Sequence, residues 1–192
     1  DFSEPVTKNT KRFTRCFWAL DKALAYARHY PAINWMNSYS EYVNDLSDWY
    51  SRQVGEDFLD CRSKLAQILQ EENKLMEIVK LIGSDVLPDD QKLVIEIARV
   101  IRVGFLQQNA YHKDDTFVPL EKQLKMMRVI LHLYKAAGSA VAAAVPLPRI
   151  LELGLFEKVS RIKFDVPNDQ LELLDGYDAE IDEKIRGLVE PK

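Results

Sequence analysis

Residues 57–82 read DFLDCRSKLAQILQEENKLMEIVKLI, and apolar side chains recur along this segment at helical spacing. These side chains are Phe58, Leu65, Ile68, Leu69, Leu75, Met76, Val79 and Ile82. Because positions three, four and seven apart share one face of an α-helix, the spacing predicts one long helix with a buried face. Gly83 follows directly and supplies a stop for this helix.

A second helix is predicted to begin at Pro88, because proline suits the first helical position, where no backbone N–H is needed. Asp89 and Asp90 follow, and their charges favour the positive end of the helix dipole. The apolar residues of this helix are Leu93, Val94, Ile97, Ala98 and Ile101, and it ends at Gly104. The two helices form an antiparallel hairpin with the tip GSDVL, residues 83–87.

The helical pattern extends from Ser38 to the end of the chain. A third long helix is predicted over residues 120–137, where Gly138 ends it. Its buried positions are Leu120, Leu124, Met127, Leu131 and Tyr134. A further helix follows Leu147, and a last one spans residues 168–188.

The amino-terminal residues have a different pattern. Residues 12–21, RFTRCFWALD, cluster large apolar side chains over a short span, which predicts a strand, and an alanine-rich helical turn or two follows. A strand, a short helix and an X-Pro step are typical of an α/β unit whose partner strands are missing from this chain. The predicted fold is mainly α, a helical bundle preceded by a short strand–helix remnant of an α/β domain.

The composition indicates an ordinary globular domain, with 47% apolar and 29% charged residues in 192. The net charge is −4 and no lysine or arginine stripe stands out, so we expect no nucleic-acid partner. The two cysteines, Cys16 and Cys61, form no metal or disulfide motif, which favours a reduced, cytoplasmic setting. No apolar run approaches the ~20 residues that span a bilayer. The chain begins at DFSEP, without Met, and we interpret it as an excised piece of a longer protein.

Enzyme signatures are scarce. The chain contains no GxxxxGK[ST], GxGxxG, HExxH or GxSxG motif, so no catalytic residue and no metal ligand is predicted. We interpret His29, His112 and His132 as surface or capping histidines, because none has a Ser or Cys at a recognisable spacing. The EE and DD pairs are expected at helix starts or on solvated faces.

Two segments leave a functional alternative open. Residues 103–117, VGFLQQNAYHKDDTF, form either a connector whose amides cap helix ends or one wall of a pocket for a flat ligand. Residues 28–35, RHYPAINW, place Tyr30 before a proline, which favours an extended backbone at that tyrosine. The Tyr30 ring is therefore either a core aromatic at a turn or a ring that faces a surface or cleft.

Three segments closely resemble the carboxyl-terminal part of the catalytic A subunit, or alpha chain, of V-type and archaeal A-type rotary ATPases. They read DFSEPVT, FWALDKALAYARHYPAINW and GFLQQNAYHKDDTFVPLEKQLKMM. The resemblance covers essentially the whole chain and is most specific in PAINW and FLQQNA. It implies that residues 1–36 end a nucleotide-binding α/β domain and that residues 37–192 form the helical carboxyl-terminal domain.

The resemblance also implies a function for the complete subunit. That subunit uses ATP or ADP with Mg and couples ATP hydrolysis or synthesis to proton or sodium transport across a membrane. Its phosphate loop and catalytic carboxylates correspond to positions before Asp1, so this chain alone is expected to be inactive and to bind no cofactor tightly. The implied partners are B subunits in an alternating A/B hexamer and the central stalk, or rotor.

An adenine pocket is the site that the resemblance carries over to this chain. It implies that the rings of Tyr30 and Tyr111 pack on the adenine and that Ala110 and Phe117 line the same pocket. Many relatives have Phe where this chain has Tyr, and the added hydroxyl needs a partner or water. The alternative function is a helical protein–protein interaction module without a nucleotide role, which would not need both aromatics.

The hairpin tip is implied to contact the rotor. The residues concerned are Ser84, Asp85, Val86, Leu87, Pro88, Asp89 and Asp90, although Pro88 and Gln91 replace more acidic residues. The second hairpin helix would form one stiff rod of roughly 20–25 Å between the tip and the pocket wall, at about 1.5 Å per residue. Movement of the tip could then shift Phe105 to Tyr111 against Tyr30.

The implied location is cytoplasmic and peripheral to the membrane, which the chain meets only through the whole complex. The predicted strand at residues 12–21 would lie inside a sheet of the complete subunit. Without that sheet its edges need a partner, and we expect the chain to self-associate through this strand.

Overall fold

The computed structural model describes residues 3–189. Its amino-terminal elements are α1 (Pro5–Phe13), β1 (Cys16–Phe17), α2 (Lys22–Tyr26), β2 (Tyr39–Ser40), α3 (Tyr42–Asp45) and α4 (Ser47–Gln53). The remaining helices are α5 (Phe58–Ile82), α6 (Asp89–Val100), α7 (Leu120–Ala142), α8 (Leu147–Leu151), α9 (Leu155–Ser160), α10 (Ile162–Asp165) and α11 (Tyr177–Val189). A π-helix follows α6 at Ile101–Leu106, and a 3₁₀-helix precedes α11 at Leu171–Gly176. The mainly α fold class is confirmed.

Helices α5, α6, α7 and α11 pack around one apolar core. The predicted hairpin is present, since α5 and α6 pack together and residues 83–88 connect them. Gly83 ends α5 as predicted, with φ at 85° in the region that favours glycine. No helix in the described part of the chain is both long enough and apolar enough to cross a bilayer.

The predicted face of α5 is buried only in its first part. The buried apolar positions are Phe58, Cys61, Leu65, Ile68, Leu69 and Leu75. Beyond them the helix extends past the core, and Leu81 and Ile82 are 83% and 62% exposed. The periodicity identified the helix but not the point at which its neighbours stop covering it.

The predicted strand over residues 12–21 was mostly wrong. Arg12 and Phe13 end α1, and Asp21 caps α2 by accepting from the backbone N–H of Ala23 at 2.8 Å. Between them Cys16–Phe17 forms a strand, and Leu20 forms an isolated antiparallel bridge with Ile33. This strand is not an orphan, because it pairs antiparallel with Tyr39–Ser40 of the same chain. Self-association through Cys16–Phe17 stays a prediction. One edge of this strand is already paired with Tyr39–Ser40, so a second copy would have to pair with the other edge.

Three predicted helix boundaries also differ. Helix α7 passes through Gly138 and reaches Ala142, since a glycine inside a helix costs only about 0.5–1 kcal/mol relative to alanine and need not end it. The predicted last helix is divided into the 3₁₀-helix and α11. The predicted single rod from Pro88 is α-helical only to Val100, and the π-helix continues it.

Gly104 lies within the π-helix, at a close contact with α9. A Cβ at that position would lie 2.7 Å from Cα of Ser160 and 3.0 Å from its carbonyl oxygen. The π-helix and α9 therefore approach each other backbone to backbone, which only glycine permits. A π-turn in an otherwise α-helical rod is often found at functional sites.

Candidate functional site

Tyr30 lies at the surface and not in the core. Its side chain is 54% exposed, and its hydroxyl donates to the carbonyl of Ala25 at 3.5 Å. The turn before it forms because Arg28 adopts a left-handed φ of 56° and the N–H of His29 donates to the carbonyl of Leu24 at 2.9 Å. This turn ends α2 and presents Tyr30 outward.

Tyr111 and Phe117 are displayed on a loop that is closed by its own hydrogen bonds, the display loop, residues 107–119. The N–H of Tyr111 donates to the side-chain oxygen of Asn109 at 2.9 Å. The hydroxyl of Thr116 donates to the carbonyl of Ala110 at 2.8 Å. Tyr111 is 98% exposed and Phe117 is 73% exposed, and Ala110 is also exposed. The loop thus holds two apolar rings in solvent.

The display loop is hydrogen-bonded to the turn that carries Tyr30. The N–H of Gln108 donates to the Tyr30 carbonyl at 2.7 Å. The Gln107 amide donates to the carbonyl of Arg28 at 3.4 Å, at the margin of a hydrogen bond. The structure therefore brings together two aromatic segments that lie far apart in the sequence.

A buried ion pair lies under the display loop. Asp115 is 1% exposed, and its carboxylate lies 3.6 Å from Nζ of Lys163, which is 3% exposed. The same carboxylate accepts from the N–H of Asn109 at 2.6 Å, and Lys163 also donates to the carbonyl of Gln107. Burial lowers the pKa of Lys163, and the Asp115 carboxylate opposes that shift.

Lys122 lies completely buried beside this pair. Its ammonium donates to the carbonyls of Lys163 at 3.2 Å and Val166 at 2.7 Å, and to the side-chain oxygen of Asn168 at 2.9 Å. The amide of Asn168 in turn donates to the carbonyl of Phe117 at 2.8 Å. Burial lowers the pKa of Lys122 as well. One lysine therefore fixes the segment that carries Lys163 and, through Asn168, the end of the display loop.

The prediction that acidic pairs lie at helix starts or on solvated faces holds for Asp89 and Asp90, which open α6. It was wrong for Asp114 and Asp115, since both are buried. The Asp114 carboxylate accepts from the N–H of Asn168 at 3.1 Å, which lowers the pKa of Asp114. The local sequence gives no signal for this burial, because Lys163, which pairs with Asp115, and Asn168, which bonds Asp114, lie far downstream.

The surface positions predicted for two further titratable groups, Glu72 and His29, were also wrong. Glu72 is buried on α5 and forms an ion pair with Arg102 of the π-helix. His29 is buried against Trp35, with ring centroids 5.5 Å apart. Burial lowers the pKa of His29, and the charges of Lys163 and Arg102 lower it further.

The hairpin tip offers fewer contact residues than expected. Leu87 is buried, and the Asp89 carboxylate accepts from the N–H of Leu147 at the start of α8 at 2.9 Å. The other five tip residues, Ser84, Asp85, Val86, Pro88 and Asp90, are exposed. Exposed Val86 and the neighbouring Ile82 make the tip apolar as well as acidic.

Two cavities lie beside the π-helix. One of about 350 Å³ is lined mainly by apolar residues such as Trp35, Tyr50 and Phe105. The other, of about 200 Å³, lies under the display loop and is lined by groups that include Asp115 and Lys163. Neither is lined by Tyr30, Tyr111, Ala110 or Phe117, and all four of these residues are exposed. Between residues 3 and 189 no group of three or more His, Cys, Asp or Glu side chains could hold a metal ion.

Comparison with known proteins identifies the family. Residues 47–150 match the C-terminal domain of V and A type ATP synthase, and residues 1–40 match the nucleotide-binding domain of the ATP synthase alpha/beta family. The V-type ATP synthase alpha chain 2 of Clostridium tetani is 50% identical over 99% of this chain. The A subunit of the A-type ATP synthase from Methanopyrus kandleri is 46% identical, also over 99% of this chain.

Each alignment covers 32% of the relative, so the chain spans about a third of the length of these curated relatives. A solved ATP synthase subunit, NeqB from Nanoarcheaum equitans, matches 70% of this chain and 33% of its own. Its TM-score is 0.58 at 19% sequence identity, so it supports the fold alone. The chain therefore belongs to the V- and A-type ATP synthases, as the carboxyl-terminal domain of the A subunit preceded by the end of a nucleotide-binding domain.

Proposed function

We propose that this chain supplies the adenine-facing wall of the nucleotide site in the catalytic A subunit of a rotary ATPase. The observation that carries the proposal is the hydrogen bond between Gln108 and the Tyr30 carbonyl, which joins two segments that each expose an aromatic ring. Exposed rings cost solvation free energy, and stacking on a purine would recover it.

The complete subunit would bind ATP or ADP with Mg and couple ATP hydrolysis or synthesis to proton or sodium transport. It would alternate with B subunits in a hexamer around the central stalk, on the cytoplasmic side of the membrane. Phe13, Trp18, Leu20 and Tyr26 are all at least 70% exposed, which supports a further domain that packs on the amino-terminal elements. The chain alone, which has no phosphate-loop motif, would bind ATP weakly and hydrolyse none.

The hairpin would face the rotor. The last turns of α5 extend beyond the core, and the exposed residues at the tip combine apolar Ile82 and Val86 with acidic Asp85 and Asp90. An exposed apolar group of this kind, rimmed by charge, is typical of a protein–protein contact. We assign the contact to these residues and not to Leu87 or Asp89, whose side chains are engaged within the chain.

Substitution of the two tyrosines tests the adenine wall. In the complete subunit within its assembled complex, Tyr30→Ala and Tyr111→Ala should each weaken ATP binding roughly 5- to 150-fold, because a stacked ring contributes ~1–3 kcal/mol. Tyr30→Phe and Tyr111→Phe keep the ring and should bind ATP as the unmodified protein does. The measurement is the equilibrium dissociation constant, by calorimetry.

Unchanged affinity in both alanine variants would contradict the adenine wall. That result would favour the alternative function, a helical interaction module in which the exposed rings contact another protein.

A further inference from the structure

We propose that Lys163 and Asp115 are positioning residues. They do not touch the purine, but they hold the wall formed by Tyr30 and Tyr111 in the geometry that binds it. The inference rests on the proposed function and adds to it the hydrogen-bond network that sets the affinity for the base. It starts from the buried ion pair, whose two members belong to different elements, Lys163 to α10 and Asp115 to the display loop.

Asp115 fixes the segment before Tyr111. Its carboxylate accepts from the N–H of Asn109 at 2.6 Å, and Asn109 in turn accepts from the N–H of Tyr111 at 2.9 Å. The backbone carbonyl of Asp115 accepts from the side-chain amide of Gln108 at 3.2 Å. Two hydrogen bonds in series therefore connect the carboxylate to the backbone of Tyr111.

Lys163 fixes the segment that meets Tyr30. Its ammonium donates to the carbonyl of Gln107, and the next residue, Gln108, donates its N–H to the Tyr30 carbonyl at 2.7 Å. The same ammonium faces Asp115. The buried Lys163 ammonium thus contacts both Asp115, which fixes the segment before Tyr111, and the carbonyl of Gln107, which precedes the residue bonded to Tyr30.

Stability alone gives a weak reason for such a pair. Removing two charges from water is costly, and well-packed apolar residues in place of a buried ion pair are often as stable or more so. Lys122 and Asp114 add two further buried charges, since Lys122 holds the carbonyls of Lys163 and Val166 and Asp114 accepts from the N–H of Asn168. Four buried charges that converge under a loop with exposed rings point to fixed geometry as their main contribution.

The test compares Asp115→Asn, Lys163→Met and the double variant in the complete subunit within its assembled complex. Each variant is titrated with Mg·ATP and with Mg·tripolyphosphate, a probe that has the phosphates but no base. We expect all three variants to weaken ATP binding about tenfold, a typical size for coupling through a packed network. Tripolyphosphate binding should stay unchanged, because the phosphate site is not part of this network.

Thermal unfolding of the same complexes separates positioning from general damage. The double variant should regain part of the stability lost in the single variants, because neither charge is then left unpaired, yet its ATP affinity should stay low. Asp57→Asn is the control, since it breaks a half-exposed ion pair away from this network, between Asp57 at the start of α5 and Arg128 of α7, 2.5 Å apart. It should lower stability slightly, as the loss of an exposed ion pair does, and leave the ATP-to-tripolyphosphate affinity ratio unchanged.

Asn109→Ala keeps the test decisive if the buried variants fail to assemble. Asn109 is exposed, and its side chain is the acceptor for the N–H of Tyr111. This variant should fold and still weaken ATP binding several-fold, a typical size for coupling through a hydrogen-bond network, without an effect on tripolyphosphate.

The inference is overturned if these variants bind ATP normally while Tyr111→Ala does not, or if they weaken ATP and tripolyphosphate equally. If Tyr111→Ala also binds ATP normally, the proposed function itself fails.

Discussion

Gly104 has the tightest contact with another backbone segment of any glycine in the described part of the chain. A methyl group at Gly104 would meet Cα of Ser160 at 2.7 Å, and a backbone atom cannot rotate away. We therefore expect Gly104→Ala to lower the free energy of unfolding by about 1–3 kcal/mol, the usual effect of overpacking. Urea denaturation of the chain measures this change.

Gly138→Ala is the matched control for this substitution. Gly138 lies within α7, and an added methyl group would meet only Leu93, at 3.8 Å. The change should be neutral or stabilise by about 0.5–1 kcal/mol, because alanine favours helix over glycine. Equal stability of the Gly104 and Gly138 variants would show that the π-helix and α9 do not approach as closely as described.

At the residue scale, sequence predicted exposed features better than buried ones. The proline after Tyr30 left a surface position open, and the ring is in fact half exposed. Asp115 and Lys163 could not be paired in advance, because they lie 48 positions apart in the sequence. A charge that is buried by distant contacts leaves no local pattern in the sequence.

At the element scale, the hairpin of α5 and α6 was predicted from its apolar spacing and its glycine stop. The π-helix at Ile101–Leu106 was not predicted, and the close contact that Gly104 makes there with Ser160 has no counterpart in the local sequence pattern. The strand prediction for residues 12–21 was mostly wrong for a similar reason. Apolar clustering alone does not exclude a helix end followed by a capped turn. Elements defined by local periodicity were found, and those defined by distant packing were missed.

The exposed apolar residues of the hairpin allow a direct test of its role. We expect the pair Ile82→Ser and Val86→Ser to lower the number of ions transported per ATP hydrolysed in the complete assembly. Both side chains are more than half exposed, so the fold should be unaffected. Transport and hydrolysis are measured together in reconstituted vesicles.

Leu173→Ser is the control for the hairpin variant, since Leu173 is 48% exposed on the 3₁₀-helix, outside the hairpin. It should leave the transport ratio unchanged. A hairpin variant with a normal ratio would exclude the tip from coupling. Deletion of the tip is a poorer test, because it would also remove buried Leu87 and the contact of Asp89 with Leu147.

At the scale of the whole molecule, the resemblance of FLQQNA and PAINW to one family predicted the fold class and the family correctly. The domain boundary between residues 36 and 37 remains a prediction. The adenine wall also remains a prediction. A nucleotide site is completed by groups that bind the phosphates, and this chain has no phosphate-loop motif. The chain shows the two ring-bearing segments joined by a hydrogen bond, with both rings exposed.

The most direct test of the adenine wall is a structure of the complete A subunit in its assembled complex with Mg·ADP bound. We expect the rings of Tyr30 and Tyr111 both to contact the adenine, with atoms at about 3.5–4.0 Å, the optimal van der Waals separation. The N–H of Gln108 should still donate to the Tyr30 carbonyl. An ordered adenine that contacts neither ring would show that these residues do not form an adenine wall.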